Sequence, residues 1–245
     1  MPQPNPTTLK DKLEVSKEEK QRLDELTMYE RKAYRQGFKC VVGIDEAGRG
    51  PLAGPVLAAA CMIPKGLLIP GVNDSKKLTP KKRFELFQKI TNDSRIAYAV
   101  GRVDSEDIDR INIFQATIQA MLQAVSKLTF LPDLLLVDGL DLKHEQIPCQ
   151  KIIGGDALSQ SIAAASIIAK ETRDLLMNEF HQQWPQYGFD QHKGYGTAKH
   201  QEAISHFGPC PIHRFTFEPI KSLNANPREN RIQNSESGIQ NGVVA

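Results

Sequence analysis

Two adjacent carboxylates, Asp45 and Glu46, close an apolar run from Cys40 to Ile44 and lead into Ala47-Gly48-Arg49-Gly50-Pro51. A charged pair there is costly to bury unless a partner holds it. Successive residues of a strand point to opposite faces, so the two cannot both aim at one ion in regular geometry. One ligates directly, and the other acts through a turn or from behind. Taken alone, the acids read equally well as a surface turn pair. The glycines shift the balance. Gly48 and Gly50 allow a backbone to approach a ligand closely, and Arg49 between them offers a forked donor suited to phosphate or to sugar and base edges. An acid pair beside Gly-Arg-Gly can seat a metal ion and a polyanion side by side.

The pattern repeats downstream. Leu134-Leu135-Leu136-Val137 is a continuous apolar run that ends at Asp138-Gly139. A single aspartate at a strand end is usually a turn former. Two parallel strands ending in acids would bring those acids together, because ligand sites in open α/β sheets form at strand ends. A further acid, Asp156, follows Ile152-Ile153-Gly154-Gly155. Two basic loops complete the inventory. Lys76 and Lys77 lie in a turn-rich loop over residues 70–80; by themselves they read as solvated lysines. His192-Lys193-Gly194-Tyr195-Gly196-Thr197 places an aromatic among basic and glycine residues. It could stack on a base or sugar, although an ordinary loop with a packed tyrosine is the simpler reading.

The elements that must position these groups follow from periodicity and capping. Cys40–Ile44 and Val56–Ile63 read as buried strands, short and bounded by turn formers. Thr79 and Pro80 start a helix that runs to about Thr91. Arg95–Val103 reads as a strand, and Asn112–Leu128 as an amphipathic helix with Phe114, Ile118, Met121, Val125 and Leu128 toward the core. A small-residue helix, rich enough in alanine to pack close on a sheet, runs from Ser159 to about Gln183, and Ile212–Phe217 forms a short last element. Ahead of the first strand, Lys10–Gln36 predicts one or two surface helices with a solvated mixture of charges, after a flexible lead over residues 1–9. Residues 224–245 carry little to bury and are expected to be disordered. The expected division is 1–39 lead and surface helix, 40–222 catalytic domain and 223–245 tail.

Bulk composition narrows the classes. With 245 residues, 40% hydrophobic and 24% charged, the chain suits a globular protein of one sizeable domain or two small ones. A net charge of +2 gives no vote for a polyanion partner beyond a local basic patch. Cys40, Cys61, Cys149 and Cys210 form no metal-binding spacing; Cys40 and Cys61 read as buried thiols, which fits a reducing, cytoplasmic setting. There is no run of about eighteen apolar residues, and the first residues lack the pattern of a secretory leader, so no membrane association is expected.

Taken in order, these motifs resemble bacterial ribonuclease HII. The resemblance rests on Gly43 through Val56, Asp74-Ser75-Lys76-Lys77-Leu78, Val137-Asp138-Gly139, Gly155-Asp156, Ala164 through Lys170, Arg173-Asp174, His192 through Thr197 and His213-Arg214, and it spans Cys40 to Pro219. It implies an RNase H-like α/β fold, a central mixed sheet flanked by helices with a helical C-terminal part. It implies an endonuclease that cuts the RNA strand of RNA–DNA hybrids and nicks 5′ of a single ribonucleotide embedded in duplex DNA, leaving a 3′-hydroxyl and a 5′-phosphate. The family's four metal-holding acids carry over to Asp45, Glu46, Asp138 and Asp156, for Mn²⁺ or Mg²⁺, two ions during catalysis. Gly48-Arg49-Gly50 would sense the 2′-hydroxyl, Tyr195 would stack on the adjoining deoxyribose, and Lys76, Lys77 and Lys193 would meet phosphates. Asp174 is expected behind the site rather than on metal, and the protein is expected to act as a monomer.

Two positions depart from the family pattern. Gly154 stands where a lysine is usual, and Glu171 where an apolar residue is common. Ribonuclease HIII shares the chemistry but lacks the Gly-Arg-Gly turn. A junction resolvase would match the acids but neither basic loop, and a non-catalytic binding module would have no need of all four acids.

Overall fold

The computed structural model describes residues 16–225. A five-stranded sheet forms its centre, in the order β3-β2-β1-β4-β5. The strands are β1 (Val41–Ala47), β2 (Val56–Met62), β3 (Ala97–Val103), β4 (Leu134–Asp138) and β5 (Cys149–Ile152). β1 pairs antiparallel with β2, and β2 with β3, whereas β1–β4 and β4–β5 are parallel. The sheet is therefore mixed, as the family resemblance implies. The register Ile44↔Val137 puts Asp45 and Asp138 side by side where the parallel pairing of β1 and β4 stops; β1 itself runs on to Ala47 against β2, past the end at Ile44 that the sequence suggests.

Nine helices lie around the sheet among the described residues: α1 (Lys17–Leu26), α2 (Met28–Arg35), α3 (Pro80–Thr91), α4 (Ser105–Ile111), α5 (Ile113–Ser126), α6 (Gln160–Gln183), α7 (Phe189–His192), α8 (Ala198–Phe207) and α9 (Ile220–Ala225). The alternation of β1 and β4 sorts their side chains. Val42, Ile44, Leu135 and Val137 meet α5 through Ala116, Ala120, Met121 and Ala124. Val41, Leu134 and Leu136 face the other side with Ile162 of α6. Asp45 and Asp138 share the parity of this second set. Gly43 shows how close α6 lies: a Cβ there would fall 2.2 Å from the Ser161 carbonyl carbon and 2.3 Å from the Ile162 nitrogen. Only hydrogen fits between the strand and the helix.

Local signals placed several helices. Thr79 caps α3 by accepting from the Lys82 N–H, and Ser159 caps α6 by accepting from the Ile162 N–H. The shorter helices α4, α7 and α8 were not legible, and α9 carries three residues, 223–225, that the sequence reading assigned to the tail. The expectations for residues 1–9, for the start of the Lys10–Gln36 segment up to residue 15, and for 226–245 lie outside the described residues.

Three further expectations are corrected. Phe114 is 45% exposed rather than core, because the face of α5 on the sheet is built from alanines; a Cβ at Gly101 of β3 would lie 1.9 Å from the Ala120 carbonyl oxygen. A ring cannot enter so close a contact, and Phe114 is left on the outer side of the first turn. Cys40 is half-buried, just ahead of β1, whereas Cys61 is fully buried. The α1–α2 hairpin is not merely a solvated surface element. Leu23 and Leu26 join Ala59, Cys61 and Ile168 in one apolar cluster. Glu30 is buried, and its Oε1 accepts from the Ser161 N–H at 2.9 Å and the Ser159 hydroxyl at 2.6 Å, at the N-terminus of α6. A carboxylate there satisfies unpaired helix donors and complements the helix dipole.

A candidate metal and nucleic-acid site

Asp45, Asp138 and Asp156 converge on one point: each offers a carboxylate oxygen, and these atoms all lie within 4.8 Å of one another. β1 supplies Asp45, the end of β4 supplies Asp138, and a 3-10 turn at Gly155–Ala157 supplies Asp156. The Gly155 N–H donates to Asp138 Oδ1 at 2.6 Å, tying the turn to the strand end. Asp45 Oδ1 accepts from the Glu46 N–H at 2.7 Å. Burial, then the charges of Glu46 and Asp138, push the Asp45 carboxyl well above the usual carboxylate range. Asp156 is raised by burial and by the neighbouring Asp74.

Glu46 stands outside this trio, as strand alternation requires. Its Oε1 accepts from the Arg49 guanidinium at 3.4 Å, and its Oε2 is buried with no hydrogen-bond partner among the described residues. Burial raises its carboxyl even against the nearby Arg49. Clustered carboxylates, those of Asp45 and Asp156 buried and that of Asp138 half-buried, with an orphaned oxygen alongside are what a hard divalent cation would satisfy, and the donors are all oxygen, which suits Mg²⁺ or Mn²⁺.

Beside the acids lies a cleft of about 190 Å³ lined by Glu46, Gly48, Arg49, Gly50, Lys76 and Tyr195, among others. Residues far apart in the chain meet here, and Tyr195 is 46% exposed. Lys76 sits on a one-turn 3-10 helix, Ser75–Lys77, capped by the Asp74 carboxylate, which accepts from the Lys76 N–H at 2.9 Å. Burial acts to lower its ammonium pKa, but Asp45, Asp156, Asp74 and Asp138 together hold it above its usual value. Lys77 is exposed and does not line the cleft. Lys193 is not brought in either: its ammonium donates to Asn178 Oδ1 and to the Asp190 carbonyl at 2.6 Å, and would have to leave both to reach a phosphate.

The two departures have a structural reading. Gly154 adopts φ +67°, a left-handed conformation that costs glycine nothing. Glu171 pairs with Arg83 of α3, and Asp174 accepts from Arg83 at 3.5 Å and from Lys170 at 2.5 Å. This places Asp174 behind the cleft, aligning Lys170 on its wall. Sequence reasoning missed Asp74 as a neighbour of Asp156, and Ser166, which acts to lower the Asp45 carboxyl against its burial and whose hydroxyl donates to Ser75 at 2.8 Å. Asp74 lay in a loop read only for its turn formers, and its nearness to Asp156 had no signal in the sequence.

With this geometry in place, the comparisons with known proteins decide the lineage. The family profile described as ribonuclease HII matches residues 42–220. The chain belongs to the ribonuclease HII family. It is 54% identical over 211 residues to the ribonuclease HII of Chlamydia pneumoniae, covering 86% of this chain and 98% of that one. It is 56% identical over 197 residues to that of Chlamydia caviae, covering 80% and 92%. Among solved structures, the ribonuclease H2 of Pyrococcus horikoshii superposes with a TM-score of 0.63 at 28% identity, over 77% of this chain and 99% of that one. A Bst-RNase HIII solved in complex with Mn²⁺ shares the fold, with a TM-score of 0.60 at 19% identity over 80% of this chain and 73% of that one. Membership in the ribonuclease HII family makes this chain a hydrolytic endonuclease with ribonuclease H activity, which acts on RNA–DNA hybrids. None of its described helices is long and apolar enough to cross a membrane.

Proposed function

We propose that this ribonuclease HII, besides cutting the RNA strand of hybrids, nicks duplex DNA 5′ of a single embedded ribonucleotide, leaving a 3′-hydroxyl and a 5′-phosphate. The observation that carries the reading is the shared cleft. It joins Gly48-Arg49-Gly50, Tyr195 and Lys76 to the rim of the carboxylate cluster. A hybrid can be held by backbone charge alone, but a lone ribose must be found by its 2′-hydroxyl, which is both donor and acceptor. A glycine-flanked turn can bring backbone groups within reach of it, and the exposed Tyr195 ring can stack on the neighbouring sugar.

Asp45, Glu46, Asp138 and Asp156 would hold Mg²⁺ or Mn²⁺, two ions during turnover. When bound, these supply an activated water and offset charge on the leaving oxygen. The protein's own share is positional. Lys76 meets a phosphate beside the acids, Arg49 restrains Glu46, and Asp174 aligns Lys170. The enzyme acts as a monomer in the cytoplasm.

The test is a labelled duplex with one ribonucleotide, incubated with Mg²⁺ or Mn²⁺ and either the parent or Asp138→Asn. A metal-dependent nick 5′ of the ribonucleotide, lost in the variant, supports the reading. Cleavage of long hybrids alone would refute the single-ribonucleotide activity.

A further inference from the structure

Two arginines, Arg173 and Arg214, are 1% and 0% exposed, and among the described residues neither lies within ion-pair distance of a carboxylate. Every guanidinium bond they make goes to a backbone carbonyl. Arg214 donates to Gly48 at 2.5 Å, Arg49 at 2.8 Å and Gly54 at 2.8 and 3.0 Å. Arg173 donates to Pro55 at 3.0 Å, Ala53 at 3.0 Å and Lys193 at 2.9 Å. Burial lowers their pKa values to about 9 and about 10 for Arg214 and Arg173, so both stay charged at neutral pH. Burying two such charges is expensive, and the carbonyl dipoles, with the Phe217 ring over Arg214, offset the cost.

The carbonyls they hold belong to the two loops that form the cleft. A trans peptide is planar, with its C=O and N–H pointing in opposite directions. With the Gly48 and Arg49 carbonyls turned inward to Arg214, the same two peptides present the Arg49 and Gly50 N–H groups outward. Among the described residues, neither N–H donates to another group of the protein. Gly48 allows this packing: it has φ +96°, and a Cβ would lie 2.2 Å from Arg173 Nε. Arg173 then links that turn to the other loop, because the Lys193 carbonyl it holds lies two residues before Tyr195. The Leu52 N–H to Gly194 carbonyl bond, at 2.8 Å, joins the same two segments.

We propose that Arg214 and Arg173 are positioning residues for single-ribonucleotide selectivity: by taking the inward carbonyls of both loops, they fix a pair of outward N–H donors and the Tyr195 ring in one register around the ribose. The inference rests on the activity proposed above. Neither side chain reaches substrate, and the buried guanidinium charges also polarise the outward N–H groups toward an oxygen acceptor. A long hybrid, with many ribonucleotides and a continuous backbone grip, depends less on this register than one isolated ribose does.

The experiment compares kcat/KM on a duplex with one ribonucleotide and on a long RNA–DNA hybrid for the parent, Arg214→Lys and Arg173→Lys. Lysine keeps the charge but not the fork, so it cannot hold several carbonyls at once. The expected result is a loss of about tenfold or more on the single ribonucleotide, the worth of one misplaced hydrogen bond, against a loss of about threefold or less on the hybrid. A milder variant covers the case in which the lysine forms fail to fold. Phe217→Leu removes the ring 5.0 Å from the Arg214 guanidinium and is expected to lower the same ratio by a smaller factor. Binding adds a second readout: in an Asp138→Asn background, Arg214→Lys should reduce the preference for a one-ribonucleotide duplex over all-DNA duplex. Equal losses on both substrates, or an unchanged ratio, in folded variants of a parent that nicks the single ribonucleotide would overturn this inference alone. A parent that cuts hybrids without nicking the single ribonucleotide would overturn both readings.

Discussion

Replacing Asp45 with asparagine should make the metal-free enzyme more stable and the metal-loaded enzyme less so. Asp45 is 4% exposed, and its carboxylate oxygen lies within 4.8 Å of those of Asp138 and Asp156. Two unit charges at that separation repel by about 3.5 kcal/mol at an effective dielectric near 20. Asp45→Asn keeps the shape and the oxygen that accepts from the Glu46 N–H, but removes the charge from two of the three repulsions. The full sum is not recovered, because the Lys76 ammonium beside the acids already offsets part of the repulsion. A gain of about 1–2 kcal/mol is reasonable, which for a protein of this size is about 2–8 °C in Tm. The sign with pH follows. A carboxyl whose folded-state pKa is raised binds its proton more tightly when folded, so the metal-free parent loses stability as pH rises through that raised pKa. The variant should be flatter there. Divalent metal at about a hundred times its Kd should add about 2.7 kcal/mol to the parent and much less to the variant. Thermal melts in EDTA and across a Mn²⁺ titration would show the two proteins exchanging order. A variant that melts below the parent in EDTA and keeps the full metal shift would refute the reasoning. It would mean that the cluster is not strained and that Asp45 does not hold the ion.

Three other outcomes are expected. Gly43→Ala should cost roughly 3 kcal/mol or more in urea unfolding, because the added carbon meets α6 backbone at 2.2–2.6 Å rather than a flexible side chain; a loss below about 1 kcal/mol would contradict the packing. Stability should fall as pH drops from about 6.5 toward 4, with an uptake of up to two protons on unfolding, because burial lowers His200 and His213 to about 4 while the unfolded chain protonates near the ordinary value; His200→Gln should flatten that slope in pH-dependent melts. Arg49→Ala and Tyr195→Ala should each lose more kcat/KM on a single embedded ribonucleotide than on a long hybrid, and equal losses would remove their assigned roles.

Much of the site was legible before any coordinates. Apolar runs ending in Asp45 and Asp138 announce parallel strands with acids at one edge, because a buried strand is continuous in sequence and its end is marked by glycine. Strand alternation also separates Asp45 from Glu46, and the structure keeps Glu46 apart from the three-aspartate group. The cap at Thr79 was readable for the same reason: a cap and the N–H it satisfies lie three residues apart.

Other features had no such local signature. Phe114 matches the helical period of α5 but faces outward, because the spacing between α5 and β3 is set by Gly101 and Ala120. The charge on Glu30 looks like one more solvated acid until α6 places two serines against it. Lys193 sits in a basic loop but gives its ammonium to Asn178 and Asp190. Arg173 and Arg214 carry no sign of which carbonyls they will hold, 118 to 166 positions away for all but the Lys193 bond. Periodicity, capping and turn chemistry act over a few residues, so the sequence alone determined four of the five strands, the main helices and where Asp45 and Asp138 fall on them; β5 was not legible. Burial, pKa and the direction of a side chain depend on everything packed around it, and those neighbours come from distant segments. The orientation of the cleft's donors was therefore decided only when the chain closed on itself.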